Sequence, residues 1–156
     1  LEKHVEGVGY DDLTTLGREA RTMAQKIIED GLCNVSEYYG SEVSLYYPDL
    51  YAGSTDLVCL HNGVEAIVDF KQSNRPKREE WIEDYYMQIA AYAMAHNMMF
   101  PRQSKIEKGV IMVCTPDLYY QEFVVEGPKL QHYYWKFLER LSQYLDQNKA
   151  EIRQKV

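Results

Sequence analysis

Asp69 and Lys71 stand two residues apart at the end of the run VEAIVDFK, residues 64 to 71. A β-strand has a side-chain period of two, so an acid and an amine at this spacing share one face. They follow an apolar centre, AIV, where an unpartnered charge would be expensive to bury. Taken alone, the pair reads equally as an ordinary ion pair at a sheet edge. Asp56 adds a second acid. It follows Gly53-Ser54-Thr55, and the chain then passes through the tight-turn signal His61-Asn62-Gly63. Asp56 lies six residues before Asn62 and Asp69 lies six after Gly63. A hairpin pivoting there brings the two carboxyl groups opposite each other. Two carboxylates beside a single lysine repel unless a cation joins them. Magnesium or manganese, which take oxygen ligands, would supply that charge.

Further along, Gln88 and Tyr92 are four residues apart and share one face of a predicted helix, with Trp81 and Tyr85 extending the stripe. A glutamine in an aromatic stripe needs a polar partner. A catalytic cluster on the sheet below would provide one; a partly exposed glutamine beside a core tyrosine would not require one.

Together GSTD (53 to 56), VDFK (68 to 71) and QIAAY (88 to 92) resemble, in order and spacing, the GxxD, (D/E)xK and QxxxY motifs of RecB-type nucleases in the PD-(D/E)XK superfamily. The phrase IVDFKQSNRPK, residues 67 to 77, is most similar to the mitochondrial genome maintenance exonuclease family with its phage and bacterial relatives. The resemblance covers roughly residues 37 to 145.

The resemblance implies a metal-dependent deoxyribonuclease acting from the ends of single-stranded DNA, of the kind used in DNA repair and recombination. Asp56, Asp69 and the main-chain carbonyl of Phe70 would hold Mg²⁺ or Mn²⁺. Lys71 would orient or deprotonate the attacking water, and Gln88 and Tyr92 would position Lys71 or a phosphate. Glu42 occupies the place of a supporting glutamate in the first strand, where a solvent-facing glutamate is an equal reading. Ser73, Arg75, Lys77 and Arg78 follow Lys71 and would contact the nucleic-acid backbone. Arg102, Lys105 and Lys108 read as a second basic loop. In this family a metal-binding histidine usually precedes the first strand. His4 is the nearest candidate but does not sit in that motif, and the family histidine is expected before Leu1. The four cysteines that hold an iron–sulfur cluster in some relatives are absent, so no such cluster is expected.

The elements that must place these residues are legible in outline. Residues 11 to 30 have the spacing of an amphipathic helix ending at Gly31. Strands are predicted over 42 to 47, 51 to 60 and 64 to 71, then a basic loop from 73 and a helix over 79 to 98. Further strands follow over 109 to 115 and 119 to 125, and a long helix opens after Gly127-Pro128. A β-meander followed by a helix and another strand gives a mixed α/β fold with helices packed on a mixed sheet. The resemblance makes it a restriction-endonuclease-like core of αβββαβ order. The 156 residues suit one domain, residues 1 to 156, with an N-terminal piece expected beyond Leu1.

Composition sets the remaining limits. The 46% hydrophobic and 26% charged content is that of a folded globular chain, and no run is long enough to span a bilayer. Cys33, Cys59 and Cys114 form no paired motif and suggest reduced thiols inside a cell; the resemblance implies the cytoplasm if the protein is bacterial or phage and the mitochondrion if it is eukaryotic. The four histidines show no zinc pattern. A net charge of −7 argues against binding nucleic acid by bulk electrostatics but permits a local basic groove. Five adjacent tyrosine pairs could each expose one ring for base stacking, although packing under helices is their commoner use. Three other readings remain: a structure-specific or restriction-like endonuclease on the same core, a non-catalytic nucleic-acid-binding module, and a purely structural Asp69–Lys71 ion pair.

Overall fold

The computed structural model describes residues 15–154. His4 and the first residues of the predicted helix over 11 to 30 lie outside that range. Helix α1 (Thr15–Asp30) precedes a meander of strands β1 (Val35–Tyr47), β2 (Tyr51–His61) and β3 (Val64–Gln72). Helix α2 (Glu83–Met99) crosses to β4 (Lys108–Cys114), β5 (Tyr120–Glu126) returns, and α3 (Pro128–Gln154) closes the chain. The strands lie in sequence order, β1-β2-β3-β4-β5, antiparallel except for the β3–β4 pair. That parallel pair needs a crossover, which α2 supplies. Every residue of β4 is buried, as its apolar run demands of a central strand covered on both faces.

Each face of the sheet carries its own core. One packs Leu45, Val58, Ile67, Ile111 and Val113 against Tyr86, Ile89, Ala90 and Ala93 of α2, with Leu130 of α3 behind them. The other packs Leu57, Cys59, Ala66, Val68, Val110 and Met112 against Met23 and Ile27 of α1. Ile67, Asp69 and Lys71 therefore project toward α2, since they alternate with Ala66 and Val68. The start of α2 is tied to α3 by the ion pairs Lys136–Glu83 and Arg140–Asp84, the latter at 2.7 Å. No helix among the described residues is long and apolar enough to cross a membrane.

The elements depart from the sequence pattern in four places. First, β1 begins at Val35, seven residues before the expected start at 42. Register irregularities between Val35 and Glu37 and between Tyr38 and Gly40 break its alternation, and Tyr38 and Tyr39 are both exposed. Second, the helix expected from 79 is split. Glu79–Trp81 form a single 3₁₀ turn, Ile82 leaves helical geometry at φ −110°, ψ 20°, and α2 starts at Glu83. Third, Trp81 therefore does not share the Tyr85–Gln88–Tyr92 stripe; its side chain stands in solvent. Fourth, Lys108 belongs to β4 and is buried, so it is not part of a basic loop.

Candidate active site

The β2–β3 hairpin turns through Asn62 (φ 46°) and Gly63 (φ 79°), both in the left-handed region that a two-residue hairpin turn requires. The ladder runs from His61↔Val64 to Leu57↔Val68. One further step puts Asp56 level with Asp69, the register that the turn position predicts. There the regular ladder gives way to side-chain bonds. The Phe70 N–H donates to Asp56 Oδ2 at 2.8 Å, the Asp56 N–H donates to Asp69 Oδ1 at 3.3 Å, and Thr55 Oγ1 donates to Asp69 Oδ1 at 3.0 Å. The two acids thus lie side by side, each tied to the other's strand. A strand residue sends its N–H and C=O to the same neighbour, so the Phe70 carbonyl also faces the Asp56 side.

Asp69 is only 5% exposed. Burial first, and then the charge of Asp56, push its carboxyl above the usual carboxylate range. The Asp56 N–H, the Lys71 charge and the Thr55 hydroxyl partly oppose this. A site of this kind favours either a proton or a cation.

Lys71 is half-buried, and its ammonium makes a long bond to Gln88 Oε1 at 3.4 Å and lies 4.9 Å from the Tyr85 ring centroid. No carboxylate lies within 4.0 Å of it among the described residues, so it does not form the ion pair with Asp69 considered from sequence. Gln88 Nε2 donates to Tyr92 Oη at 3.1 Å, which completes a chain from the α2 face to the lysine. Burial, followed by the charge of Asp69, raises the Tyr92 pKa and keeps the phenol neutral. The ring lies so close to β2 that a Cβ on Gly53 would stand 2.5 Å from Tyr92 Cε1. Gly53 is therefore a close-approach glycine.

Asp56, Asp69, Lys71, Gln88 and Tyr92 thus come together. Glu42 is level with Asp56, between the pairs Ser41↔Leu57 and Val43↔Thr55, but it is exposed with φ 48°. No three His, Cys, Asp or Glu side chains form an ion-holding cluster among the described residues. The donors present are the two aspartates with the Phe70 carbonyl beside them, a hard oxygen set that fits magnesium or manganese as part of a coordination shell. Ser73 exchanges bonds with the Arg75 backbone and shapes the loop after β3. The side chain of Gln121 pins both the N–H and the C=O of Lys77, at 2.7 and 2.8 Å, and so fixes that basic loop against β5. Arg102 and Lys105 follow α2 and precede β4, at the end of the sheet away from Lys71.

Two residues of the cluster had no part in the sequence-derived site. Thr55 is buried and bonded to Asp69; its signal in the sequence is a hydroxyl directly before Asp56, at the head of the apolar run 57–60. Tyr85 was visible only as one more aromatic of the helix stripe.

No family model matches the chain, and no curated protein matches it either. Among solved structures, a candidate exonuclease from Eubacterium rectale superposes with a TM-score of 0.63 at 15% identity, over 94% of this chain and 62% of that one. The chain therefore spans about three fifths of that protein's length. An alkaline exonuclease from Laribacter hongkongensis aligns at a TM-score of 0.39 and 12% identity, over 98% of this chain and 81% of that one, a likeness too loose to carry weight. At 15% identity the first likeness is one of fold: this chain has the mixed α/β, restriction-endonuclease-like architecture.

Proposed function

We propose that this chain is a divalent-cation-dependent deoxyribonuclease of the PD-(D/E)XK class that removes nucleotides from the ends of single-stranded DNA, akin to the mitochondrial genome maintenance exonuclease and its phage and bacterial relatives. The observation that carries the proposal is the junction of Asp56 and Asp69 beside a lysine that has no carboxylate within 4.0 Å among the described residues. A structural ion pair would place Lys71 on an aspartate; here Gln88 and Tyr85 hold it instead.

Asp56, Asp69 and the Phe70 carbonyl are the groups that would hold Mg²⁺ or Mn²⁺. When bound, the cation supplies positive charge against a phosphate oxygen. Lys71, as an ammonium, orients the attacking water, whose proton passes to solvent, and its positive charge offsets the charge that builds on the phosphorus oxygens as the water oxygen bonds phosphorus and the bond from phosphorus to the leaving nucleotide oxygen breaks. Gln88 fixes the lysine and Tyr92 fixes Gln88. Thr55 keeps the Asp69 carboxylate oriented in its buried position. Ser73, Arg75, Lys77 and Arg78 lie on the loop leaving β3 and would hold the phosphates that flank the reacting one.

Digestion of end-labelled linear single strands, linear duplexes and circular single strands with Mn²⁺ or Mg²⁺ tests this reading. Release of nucleotides from linear single strands, absent with Lys71→Ala and on circles, is the expected result. Cleavage that persists in folded Lys71→Ala removes the mechanism, and cutting of circles makes the enzyme an endonuclease.

A further inference from the structure

Trp81 is 63% exposed, in a turn whose neighbours are firmly anchored. The 3₁₀ turn is closed by Trp81 N–H to Arg78 O at 2.9 Å and Ile82 N–H to Glu79 O at 3.3 Å. Ile82, the next residue, is buried in the core. Glu79 is clasped by Lys129 and by the Tyr86 hydroxyl, the latter at 3.2 Å. The turn is thus fixed from three sides while the indole points away from the core. Arg78 covers one of its faces, with the guanidinium 5.1 Å from the ring centroid, and is held only loosely by Glu80 at 3.9 Å. Most of the rest of the side chain is exposed.

Trp81 lies on the segment that joins β3 to α2, four residues after Lys77, whose backbone is held by Gln121, level in the sheet with Val113 and Lys71. The loop between β3 and Trp81 carries Arg75, Lys77 and Arg78, and Gln121 fixes its middle. No other large apolar side chain is exposed between residues 73 and 85. The indole follows Arg75, Lys77 and Arg78, and of the four carboxylates beside it three, Glu79, Glu83 and Asp84, are paired with cations of α3, so the turn keeps a net positive charge that suits a polyanion with flat, apolar bases better than the apolar patch of a protein partner.

We propose that Trp81, backed by Arg78, is a stacking platform for an unpaired base of the strand whose phosphate lies at the Asp56–Asp69 site; this rests on the nuclease reading. A base inside a duplex has both faces covered by its neighbours, so the platform selects single strands or frayed ends. The turn that carries the ring is anchored before the strand arrives, so little backbone ordering opposes binding. Arg78 contributes twice, as the cation behind the indole and as a phosphate contact.

The chain has two tryptophans, Trp81 and Trp135. Trp135→Phe leaves Trp81 as the sole indole, and Trp135 is 62% exposed on α3, outside the site. Titration of that protein in a chelator, where no cleavage occurs, with oligothymidylate should quench its fluorescence. An abasic strand of equal length should not quench it, and a blunt duplex should do so only weakly. Trp81→Ala should weaken binding of the single strand, and raise KM for it, about tenfold with kcat little changed, while Trp81→Phe retains most of the affinity. Equal quenching by the abasic strand, stronger quenching by the duplex, or unchanged affinity in Trp81→Ala overturns the platform. If metal-dependent, Lys71-dependent cleavage persists alongside any of those results, only the platform falls. Base-dependent quenching in a protein that cleaves nothing removes the nuclease reading, and with it the placement of the strand at Asp56 and Asp69, and leaves Trp81 only as an indole that binds unpaired bases.

Discussion

A methyl group added at Gly53 should disable the site without touching any charged residue. The Cβ of Gly53→Ala would stand 2.5 Å from Tyr92 Cε1, 2.8 Å from its hydroxyl oxygen and 3.0 Å from Cζ. Ordinary carbon contacts lie at about 3.5 Å, so the ring must retreat by roughly 1 Å. The Tyr92 hydroxyl receives Gln88 Nε2 at 3.1 Å, and Gln88 in turn holds Lys71. A shift of about 1 Å in a positioning group lowers turnover by about 100-fold. The overpacking itself destabilises by about 1–3 kcal/mol, and for a domain of this size each kcal/mol lowers Tm by about 2–4 °C. Thermal denaturation and steady-state cleavage of linear single strands measure the two effects. In a Tyr92→Leu background the clash disappears, so adding Gly53→Ala there should change neither quantity further. Unchanged Tm and kcat in the single variant, or an equal loss in the Tyr92→Leu background, refutes the reasoning that Gly53 exists to admit the Tyr92 ring.

Two further perturbations address the acids. Burial and Asp56 raise the Asp69 pKa above its ordinary value of 3.8, so the folded chain binds this proton more readily than the unfolded chain. The stability contributed by this group is therefore present at acid pH. It declines as pH rises from about 3.8 through the raised value. Asp69→Asn should gain stability relative to the parent between pH 4 and pH 7 while losing cleavage, as urea denaturation at both pH values would show; a relative loss over that interval contradicts the assignment. Thr55→Val removes a buried hydroxyl from Asp69 at nearly constant volume. It should destabilise by about 1–3 kcal/mol in chemical denaturation, with Thr55→Ser close to the parent, and equal stability for all three would deny the bond a role.

The hairpin and its register were legible because Asn62-Gly63 is a turn of fixed length and strands have a period of two. Those two facts place Asp56 level with Asp69 and send Asp69 and Lys71 to one face. The order of helices and strands was legible for a similar reason, since the apolar runs of β3 and β4 are those of central strands. Other features depended on tertiary packing. The break at Ile82 carries no glycine or proline and arises where that side chain enters the core, so a continuous helix from 79 was the natural reading. Trp81 left the predicted stripe for that reason. The early part of β1 was hidden by its bulges and exposed tyrosines. Lys108 looks like loop charge in sequence, yet it begins the buried strand β4 level with Ala66 of β3. The roles of Thr55 and Tyr85 are not legible in sequence because they depend on contacts across strands and between sheet and helix.

The central claim is that the carboxyl groups of residues 56 and 69 form one cation site. Calorimetric titration of Mn²⁺ into the intact chain, beside Asp56→Asn and Asp69→Asn, tests it most directly. Saturable binding in the parent, lost in both variants while their fold persists by circular dichroism, is the predicted result. Absence of binding in the parent, or equal binding in all three proteins, would contradict it.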